Sequence, residues 1–214
     1  MGFKQGNAPG NKSPSWGKGY LAGTENNDHI MGTKNADTMN RLGGNDVLIA
    51  YAGMDTVVGG DGADSLTGGS GNDSVAGGIW TDSTETGTPG VIDAGEVADD
   101  GDIDTYVGGS TAADNGTDVI HGYGEGDVID LTSALQGIFD GILLGQVDPT
   151  DTDMAWATLV DDGYIMLLEG IVSLDSDGSA SETDPGAAWF VVNVSEVAIV
   201  IGANTFALTE VVGP

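Results

Sequence analysis

The 214-residue sequence contains no cysteine and very few positive charges. The lack of cysteine excludes disulfide frameworks and thiolate zinc sites. Five Lys or Arg residues face 34 Asp or Glu residues, the formal net charge is -29, and no Lys or Arg follows Arg41. Because phosphate groups would be repelled, nucleic acid and anionic membrane are not expected partners. No apolar run is long enough for membrane insertion, and residues 1–22 lack the apolar core of a secretory signal peptide, so export would need another route.

Glycine and aspartate are abundant instead. The chain has 37 Gly, and Asp greatly outnumbers Glu among the acids. Glycine disfavours long helices, because it loses more conformational freedom on folding than any other residue. Aspartate is typical of turns and of sites for hard cations. Together these residues predict an all-β, turn-dominated architecture.

Aspartate recurs every nine residues in the first part of the chain. The register is Asp28, Asp37, Asp46, Asp55, Asp64, Asp73 and Asp82. Two residues after the first six stand the apolar residues Ile30, Met39, Leu48, Val57, Leu66 and Val75. Two residues before the same six aspartates stand Asn26, Asn35, Gly44, Gly53, Gly62 and Gly71, residue types that tolerate positive φ. A fixed period of this kind indicates a repeat architecture.

Each nonapeptide predicts a six-residue turn followed by a three-residue strand whose middle side chain points inward. One such strand cannot bury its apolar residue alone, so we expect two nonapeptides to form a right-handed coil of 18 residues and the coils to stack. Positions 18 apart then align, with Ile30, Leu48 and Leu66 on one sheet and Leu21, Met39, Val57 and Val75 on the other. The aspartates align in two columns, Asp28, Asp46, Asp64, Asp82 and Asp37, Asp55, Asp73.

Two columns of carboxylates need a cation between them, since unit charges a few ångströms apart repel by about 1 kcal/mol even in water. Lys and Arg are absent there, and carbonyl oxygens of glycine-rich turns are available as further ligands. A cage of many oxygens selects Ca²⁺ over Mg²⁺ or zinc. We expect carbonyl ligands near Asn26, Asn35, Gly44, Gly53, Gly59, Gly62, Gly68, Gly71 and Gly77.

The motif Gly-Gly-x-Gly-x-Asp-x-apolar-x is cleanest from Gly59 and from Gly68, and it holds over residues 23–76. This motif resembles the calcium-binding repeat of the repeats-in-toxin (RTX) family of secreted proteins. The resemblance implies a calcium-bound parallel β-roll holding several Ca²⁺ ions. It also implies an uncleaved type I secretion signal within about the last 60 residues.

The repeats are irregular at several positions. Arg41 and Ala50 replace the first glycine of their copies, and Asn26 and Asn35 replace the fourth-position glycine, which weakens the earliest sites. In the Asp82 copy, Trp80 stands in place of a glycine and Thr84 in place of the apolar residue, so we expect the roll to break there. Residues 83–98 are expected to form an excursion loop. The pattern then resumes with Asp104, Asp118 and Asp127 as further ligands and with Tyr106, Ile120 and Ile129 inward. Asp102 and Asp104 are expected to add a calcium site, with Asp99 and Asp100 nearby.

Three regions follow from these patterns: a basic arm (1–20), the β-roll (21–130) and a β-rich C-terminal cap (131–214). The arm contains Lys4, Lys12 and Lys18 with no acid, and is either a disordered tail or a tether to a neighbouring copy. In the cap we expect a hairpin over residues 158–168 and strands at 189–194, 198–201 and 205–208. Trp156 and Trp189 are expected in the cap core, and the acidic loops 148–153 and 175–179 are either solvated turns or extra calcium sites.

Catalysis has little support in the sequence. His29 and His121 fall inside the repeats, where surface turn positions are expected, and no His-Glu-x-x-His or Gly-x-Ser-x-Gly motif is present. We therefore expect no enzyme activity. Two functions remain open: a secreted calcium-binding structural protein that self-assembles, and a non-catalytic binding module for an extracellular polysaccharide or a protein partner.

Overall fold

A computed structural model of the chain describes residues 19–40, 42–80, 97–98, 100–109, 117–168, 170–174, 187–192 and 194–209. The basic arm up to residue 18, Asp82, Asp99, most of the excursion loop and the loop 175–186 therefore lie outside the described residues. No helix within the described ranges has the length and apolar character needed to cross a membrane.

The described residues form short strands and two helices. In chain order the strands are β1 (Gly19–Ala22), β2 (His29–Met31), β3 (Asp37–Asn40), β4 (Leu42–Gly43), β5 (Val47–Ile49), β6 (Thr56–Val58), β7 (Gly60–Asp61), β8 (Ser65–Thr67), β9 (Ser74–Ala76), β10 (Ile79–Trp80), β11 (Val97–Ala98), β12 (Thr105–Val107), β13 (Asp118–His121), β14 (Val128–Asp130), β15 (Ile165–Leu168), β16 (Ile171–Leu174), β17 (Ala187–Val191), β18 (Glu196–Ile201) and β19 (Asn204–Thr209). The helices are α1 (Thr132–Gly145) and α2 (Thr152–Asp161).

Two long sheets contain most of these strands. The order in the first sheet is β1-β3-β6-β9-β13-β17-β16-β15, and in the second β19-β18-β14-β12-β8-β5-β2. The roll strands pair in parallel, as stacked coils require. Inward side chains of both sheets belong to one hydrophobic core. The predicted parallel β-roll is confirmed.

The coil repeats every 18 residues before the excursion. Ile30 pairs with Leu48 and Leu48 with Leu66 on the second sheet. Leu21, Met39, Val57 and Val75 pair in the same way on the first sheet. These partners are buried, except that Leu21 and Ile30, at the start of the roll, are only half-buried.

The coil resumes after the excursion with a longer sequence spacing. Tyr106 pairs with Leu66, Ile120 with Val75, and Ile129 with Tyr106. Tyr106, Ile120 and Ile129 are buried, as the pattern predicts. Strands β10 and β11 pair antiparallel where the chain leaves and rejoins the roll.

Both sheets continue into the cap. Strand β17 pairs in parallel with β13 and β18 with β14, and antiparallel strands then complete each sheet. Helices α1 and α2 were not predicted. They bury Leu135, Phe139, Ala155 and Leu159, and all four side chains belong to the core shared with the roll. The cap is therefore β-rich, with two helices packed against its core.

The predicted hairpin at residues 158–168 is wrong. Residues 158–161 end helix α2, whose first turn is capped by Asp151: its side chain accepts from the backbone N–H of Met154 at 3.0 Å. Strand β15 follows the turn at Gly163, which has φ of 77°, and pairs with β16 instead. The helix arises because Ala155 and Leu159, four residues apart, lie on one helical face toward the core. The later strand predictions agree with β17, β18 and β19.

The structure describes the side chain of one of the two cap tryptophans and one of the two acidic loops. Trp156 is half-buried against the core and stacks on Phe206, with ring centroids 4.8 Å apart. Trp189 lies in β17, but its side chain is outside the described residues. In the loop 148–153, Asp148 accepts from the backbone N–H and hydroxyl of Thr150 at 3.0 and 2.7 Å, and Asp151 caps α2. Both carboxylates thus take part in local turn and cap contacts.

Candidate metal centre

The repeat aspartates form two columns joined by hydrogen bonds. In each link, the backbone N–H of one aspartate donates to Oδ1 of the aspartate in the next coil. The links are Asp28 to Asp46 (2.7 Å), Asp46 to Asp64 (2.8 Å), Asp64 to Asp104 (2.8 Å) and Asp104 to Asp127 (2.9 Å) in one column, and Asp37 to Asp55 (2.7 Å), Asp55 to Asp73 (2.8 Å) and Asp73 to Asp118 (3.0 Å) in the other. The coil spacing predicts most of this order.

The position after Asp64 differs from the prediction. The sequence places Asp82 there, but Asp82 lies outside the described residues, and Asp104 accepts from the Asp64 backbone N–H instead. Strand β12 pairs with β8 across the excursion, which brings Asp104 into the column. Asp102 and Asp104, which were expected to add a calcium site, differ in burial and in hydrogen bonds. Asp104 is buried, whereas Asp102 is exposed and donates its N–H to Asp100 Oδ1 at 3.0 Å.

The second oxygen of the middle aspartates has no partner. Oδ2 of Asp46, Asp55, Asp64 and Asp73 is buried without a hydrogen bond, and each residue is at most 3% exposed. An ionised carboxylate in such a place is strongly disfavoured unless a cation compensates it.

Burial accordingly raises the pKa of these carboxyl groups. The pKa of Asp46 and of Asp73 rises to about 6, and that of Asp55 and of Asp64 to about 7. The pKa of Asp104 rises to about 8, first because the group is buried and then because Asp127, Asp64 and Asp100 carry charges nearby. Without a cation, the folded roll therefore keeps these carboxyl groups neutral up to a higher pH than an exposed aspartate.

Glycine at the first repeat position leaves room for these oxygens. A Cβ on Gly59 would collide with Asp64 Oδ2 and lie 2.8 Å from the Gly77 carbonyl oxygen. A Cβ on Gly68 would lie 2.5 Å from Asp73 Oδ2. Carboxylate and carbonyl oxygens thus share one small space beside Gly59, and the Asp73 carboxylate lies close to Gly68 in the same way. Hard cations bind such oxygen donors.

Backbone oxygens must supply much of any coordination shell here. Across the described part of the chain, no three Asp, Glu or His side chains group closely enough to hold a metal ion by themselves. Ca²⁺ accepts backbone carbonyls and carboxylates together, whereas transition metals prefer nitrogen or sulfur ligands. The donor set therefore fits Ca²⁺, and Asp46, Asp55, Asp64 and Asp73 are the residues that would hold it.

The turns that carry the carbonyls stack closely. Gly44, Gly53, Gly62 and Gly71 all have positive φ, between 100° and 145°. A Cβ on Gly71 would collide with the Gly53 carbonyl oxygen, so glycine is required for this approach of two turns. The predicted carbonyl positions at these glycines thus lie on closely stacked turns.

Sequence reasoning missed three residues of these turns. Tyr51 has φ of 79°, at the repeat position that Gly60 and Gly69 occupy in the next copies. Thr24 and Thr33 each donate a backbone N–H and a hydroxyl to Oδ2 of the aspartate four residues later. The available signals were a tyrosine in place of glycine and the Thr-x-Asn-x-Asp pattern, which occurs at residues 24–28 and again at 33–37.

The last turn of the roll is hydrogen-bonded to the cap through Tyr123. Gly124 N–H donates to Asp127 Oδ2 at 2.8 Å. The Tyr123 hydroxyl donates to the Asp127 carbonyl at 2.7 Å and accepts from Ala198 N–H at 3.0 Å. His29 and His121, expected in turns, lie instead in strands β2 and β13.

Comparison with known proteins agrees with this geometry. The RTX calcium-binding nonapeptide repeat family matches in four copies, over residues 15–48 and 49–79. No curated protein and no solved structure matches the chain significantly. The chain thus carries RTX calcium-binding nonapeptide repeats, which form a parallel β-roll and bind several Ca²⁺ ions.

Proposed function

We propose that the protein is a secreted structural protein that folds when Ca²⁺ binds outside the cell and then self-assembles head to tail into a filament, surface layer or matrix. Extracellular calcium-binding modules typically have dissociation constants of about 0.1 to 1 mM, which suits millimolar calcium outside cells. Cytosolic calcium is far lower, so the chain would remain unfolded until its export by a type I route.

The buried carboxylates support calcium-gated folding. Within the described residues, four buried Oδ2 atoms lack a hydrogen-bond partner. The neighbouring aspartates Asp73 and Asp37 add repulsion at Asp55. A bound divalent cation supplies the missing charge and takes oxygen ligands from the turns. Binding free energy then becomes folding free energy.

The N-terminal end of the described roll, called here the open end, carries the self-assembly proposal through the unpaired edges of its strands. Among the described strands, β1 pairs only with β3 and β2 only with β5, so each has one unpaired edge. Leu21 and Ile30 are half-buried there, and Met31 and Val47 are 42% and 39% exposed on the adjacent strands β2 and β5. Open edges beside apolar side chains are templates for another chain.

The C-terminal end presents a different surface. Helices α1 and α2 cover part of the core there, and the two sheets end in β15 and β19. Contact between the open end of one copy and the cap of the next is heterologous, and it propagates as a filament unless the rotation closes a ring. The basic arm, with Lys4, Lys12 and Lys18, would bridge the acidic surfaces of successive copies.

The proposal gives the protein no catalytic role. The alternative, a binding module for a polysaccharide, would be favoured by a row of exposed aromatic side chains. Of the large hydrophobic side chains exposed in the described ranges, Tyr51 alone is aromatic. The structural role is therefore the one tested first.

Light scattering and negative-stain electron microscopy during a calcium titration test the proposal. We expect the particles formed by the full-length protein to keep increasing in size once Ca²⁺ has induced the β-rich circular dichroism spectrum. Met31→Lys places a charge on the open edge and should reduce assembly, whereas Met54→Lys is the matched control at a turn position that is 57% exposed. Deleting residues 1–18 should weaken assembly but leave the calcium-induced spectrum intact.

A calcium-loaded protein that remains monomeric at high concentration would contradict self-assembly and favour the binding module. A particle that stops growing at a dimer would contradict head-to-tail contact and indicate a symmetric pairing of open ends.

A further inference from the structure

The repeat aspartates differ in the hydrogen bonds that their Oδ2 atoms accept. In the middle copies, at Asp46, Asp55, Asp64 and Asp73, this oxygen is buried without a partner. In the first two copies it is fully engaged. Asp28 Oδ2 accepts from Thr24 N–H and hydroxyl, both at 2.7 Å, and Asp37 Oδ2 accepts from Thr33 N–H at 2.6 Å and its hydroxyl at 2.8 Å.

The threonine hydroxyls also close the first two turns. Asn26 N–H donates to the Thr24 hydroxyl at 3.3 Å, and Asn35 N–H donates to the Thr33 hydroxyl at 3.1 Å. Neither asparagine has the positive φ of the glycines at the same repeat position. The first two turns therefore follow a different backbone path, and a threonine side chain lies within each of them.

We propose that Asp28 and Asp37 do not ligate calcium and that Thr24 and Thr33 take the place of the ion in the first two turns. Two short hydrogen bonds to one carboxylate oxygen are charge-assisted and occupy both of its lone pairs, so at least one would have to be displaced for that oxygen to bind a metal. Calcium ligation by the repeat carboxylates then begins at Asp46 and Asp55. This inference rests on calcium binding by the repeats and does not depend on self-assembly.

The physical reason for such an arrangement lies at the open end of the roll. A middle turn has a turn above and below it, and adjacent turns together supply carbonyl oxygens for an ion. The first two turns have a described neighbour on one side only. A threonine supplies donors from within the same turn, so the first coil satisfies its carboxylates without a further turn before it.

Calcium stoichiometry measured by isothermal titration calorimetry tests the ligand assignment. Asp28→Asn with Asp37→Asn should leave the number of bound ions unchanged and move the calcium midpoint less than about twofold, because the asparagine oxygen can still accept from threonine. Asp46→Asn with Asp55→Asn is the matched control, one coil further along. This control should lose bound calcium and raise the midpoint by at least about tenfold. Equal losses in the two double variants would overturn the proposal.

A second pair of variants tests the threonines without relying on stoichiometry. Thr24→Val with Thr33→Val keeps the side-chain shape but removes both hydroxyls, and should lower the Tm at saturating calcium by at least about 3 °C. Thr24→Ser with Thr33→Ser keeps the hydroxyls and should retain most of the wild-type Tm. Circular dichroism at saturating calcium verifies that every variant folds. A valine variant with the Tm of the serine variant would show that the hydroxyls do not stabilise these turns and would overturn the assignment.

Discussion

The described residues of the roll (21–130) and of the cap (131–214) share two continuous sheets but are stabilised by different interactions. Three-residue roll strands such as β5 and β8 each bury one apolar side chain, Leu48 or Leu66. In the cap, the six-residue strand β18 buries three, Val197, Ile199 and Ile201.

The buried polar groups differ as well. In the described roll, most repeat aspartates are buried, whereas Ser173 is the buried polar residue of the described cap. The same sheets therefore depend on cations where strands are short and on apolar packing where strands and helices are long enough.

Calcium removal should produce the largest difference in stability between the roll and the cap. With a chelator at neutral pH, the roll loses the cation that its buried carboxylates require and should unfold. The antiparallel pair β18–β19 and its contacts with α1 should persist longer, because they contain no repeat aspartate. Hydrogen exchange measured by mass spectrometry should show fast exchange over residues 19–80 and slower exchange over 196–209. Equal protection of both segments after chelation would contradict this division.

The pH should have the next largest effect, which is measured on the calcium-free protein. The folded-state pKa of Asp46, Asp55, Asp64 and Asp73 lies at about 6 to 7, above the ordinary value of 3.8. Between these values the folded state binds more protons than the unfolded state, so the stability of the calcium-free roll falls as pH rises.

We therefore expect β structure without calcium near pH 4, lost progressively as pH rises to about 8, where Asp104 also ionises. Circular dichroism in the presence of chelator measures this transition. Asp64→Asn with Asp104→Asn removes two of the titrating groups and should flatten the profile, with more structure retained at pH 8. A calcium-free spectrum that is the same at pH 4 and pH 8 would contradict the role of these carboxyl groups.

Much of the roll was predictable from the sequence, because one period determines both strand register and aspartate columns. Leu48 and Val57 follow their aspartates by two residues, and the 18-residue coil places them in separate sheets as expected. The position after Asp64 was not predictable in this way. The excursion interrupts the period, and Asp104 rather than Asp82 continues the column.

The helices of the cap were not predicted, because the composition of α1 is unfavourable for a helix. Helix α1 contains Gly137, Gly141 and Gly145, has no side-chain N-cap and has no acid in its first turn. Its signal was the helical spacing of Leu135 and Phe139. Thr24 and Thr33 were missed for another reason: a threonine near a repeat aspartate indicates a hydrogen bond only once the fold shows which oxygen it faces.

The smallest predicted effect concerns backbone strain in the roll. Positive-φ positions of the described cap are the glycines Gly163, Gly170 and Gly202, whereas the roll also places Tyr51 in this region, at φ of 79°. A non-glycine residue there costs roughly 1–2 kcal/mol, and glycine in turn costs about 0.5–1 kcal/mol of backbone entropy. Tyr51 is 44% exposed, so its replacement loses little burial.

Tyr51→Gly should therefore stabilise the calcium-loaded roll by about 1 kcal/mol or less, which corresponds to a Tm increase of up to about 4 °C. Gly69→Ala is the matched opposite change, since its Cβ would lie 2.6 Å from the Tyr51 carbonyl carbon at φ of 106°, and it should lower the Tm by more. Thermal unfolding at saturating calcium compares the two. If the Tyr51→Gly variant melted below the wild type, the tyrosine side chain would contribute more to the turn than its strained backbone costs. The roll would then tolerate the left-handed tyrosine because of a contact made by its ring.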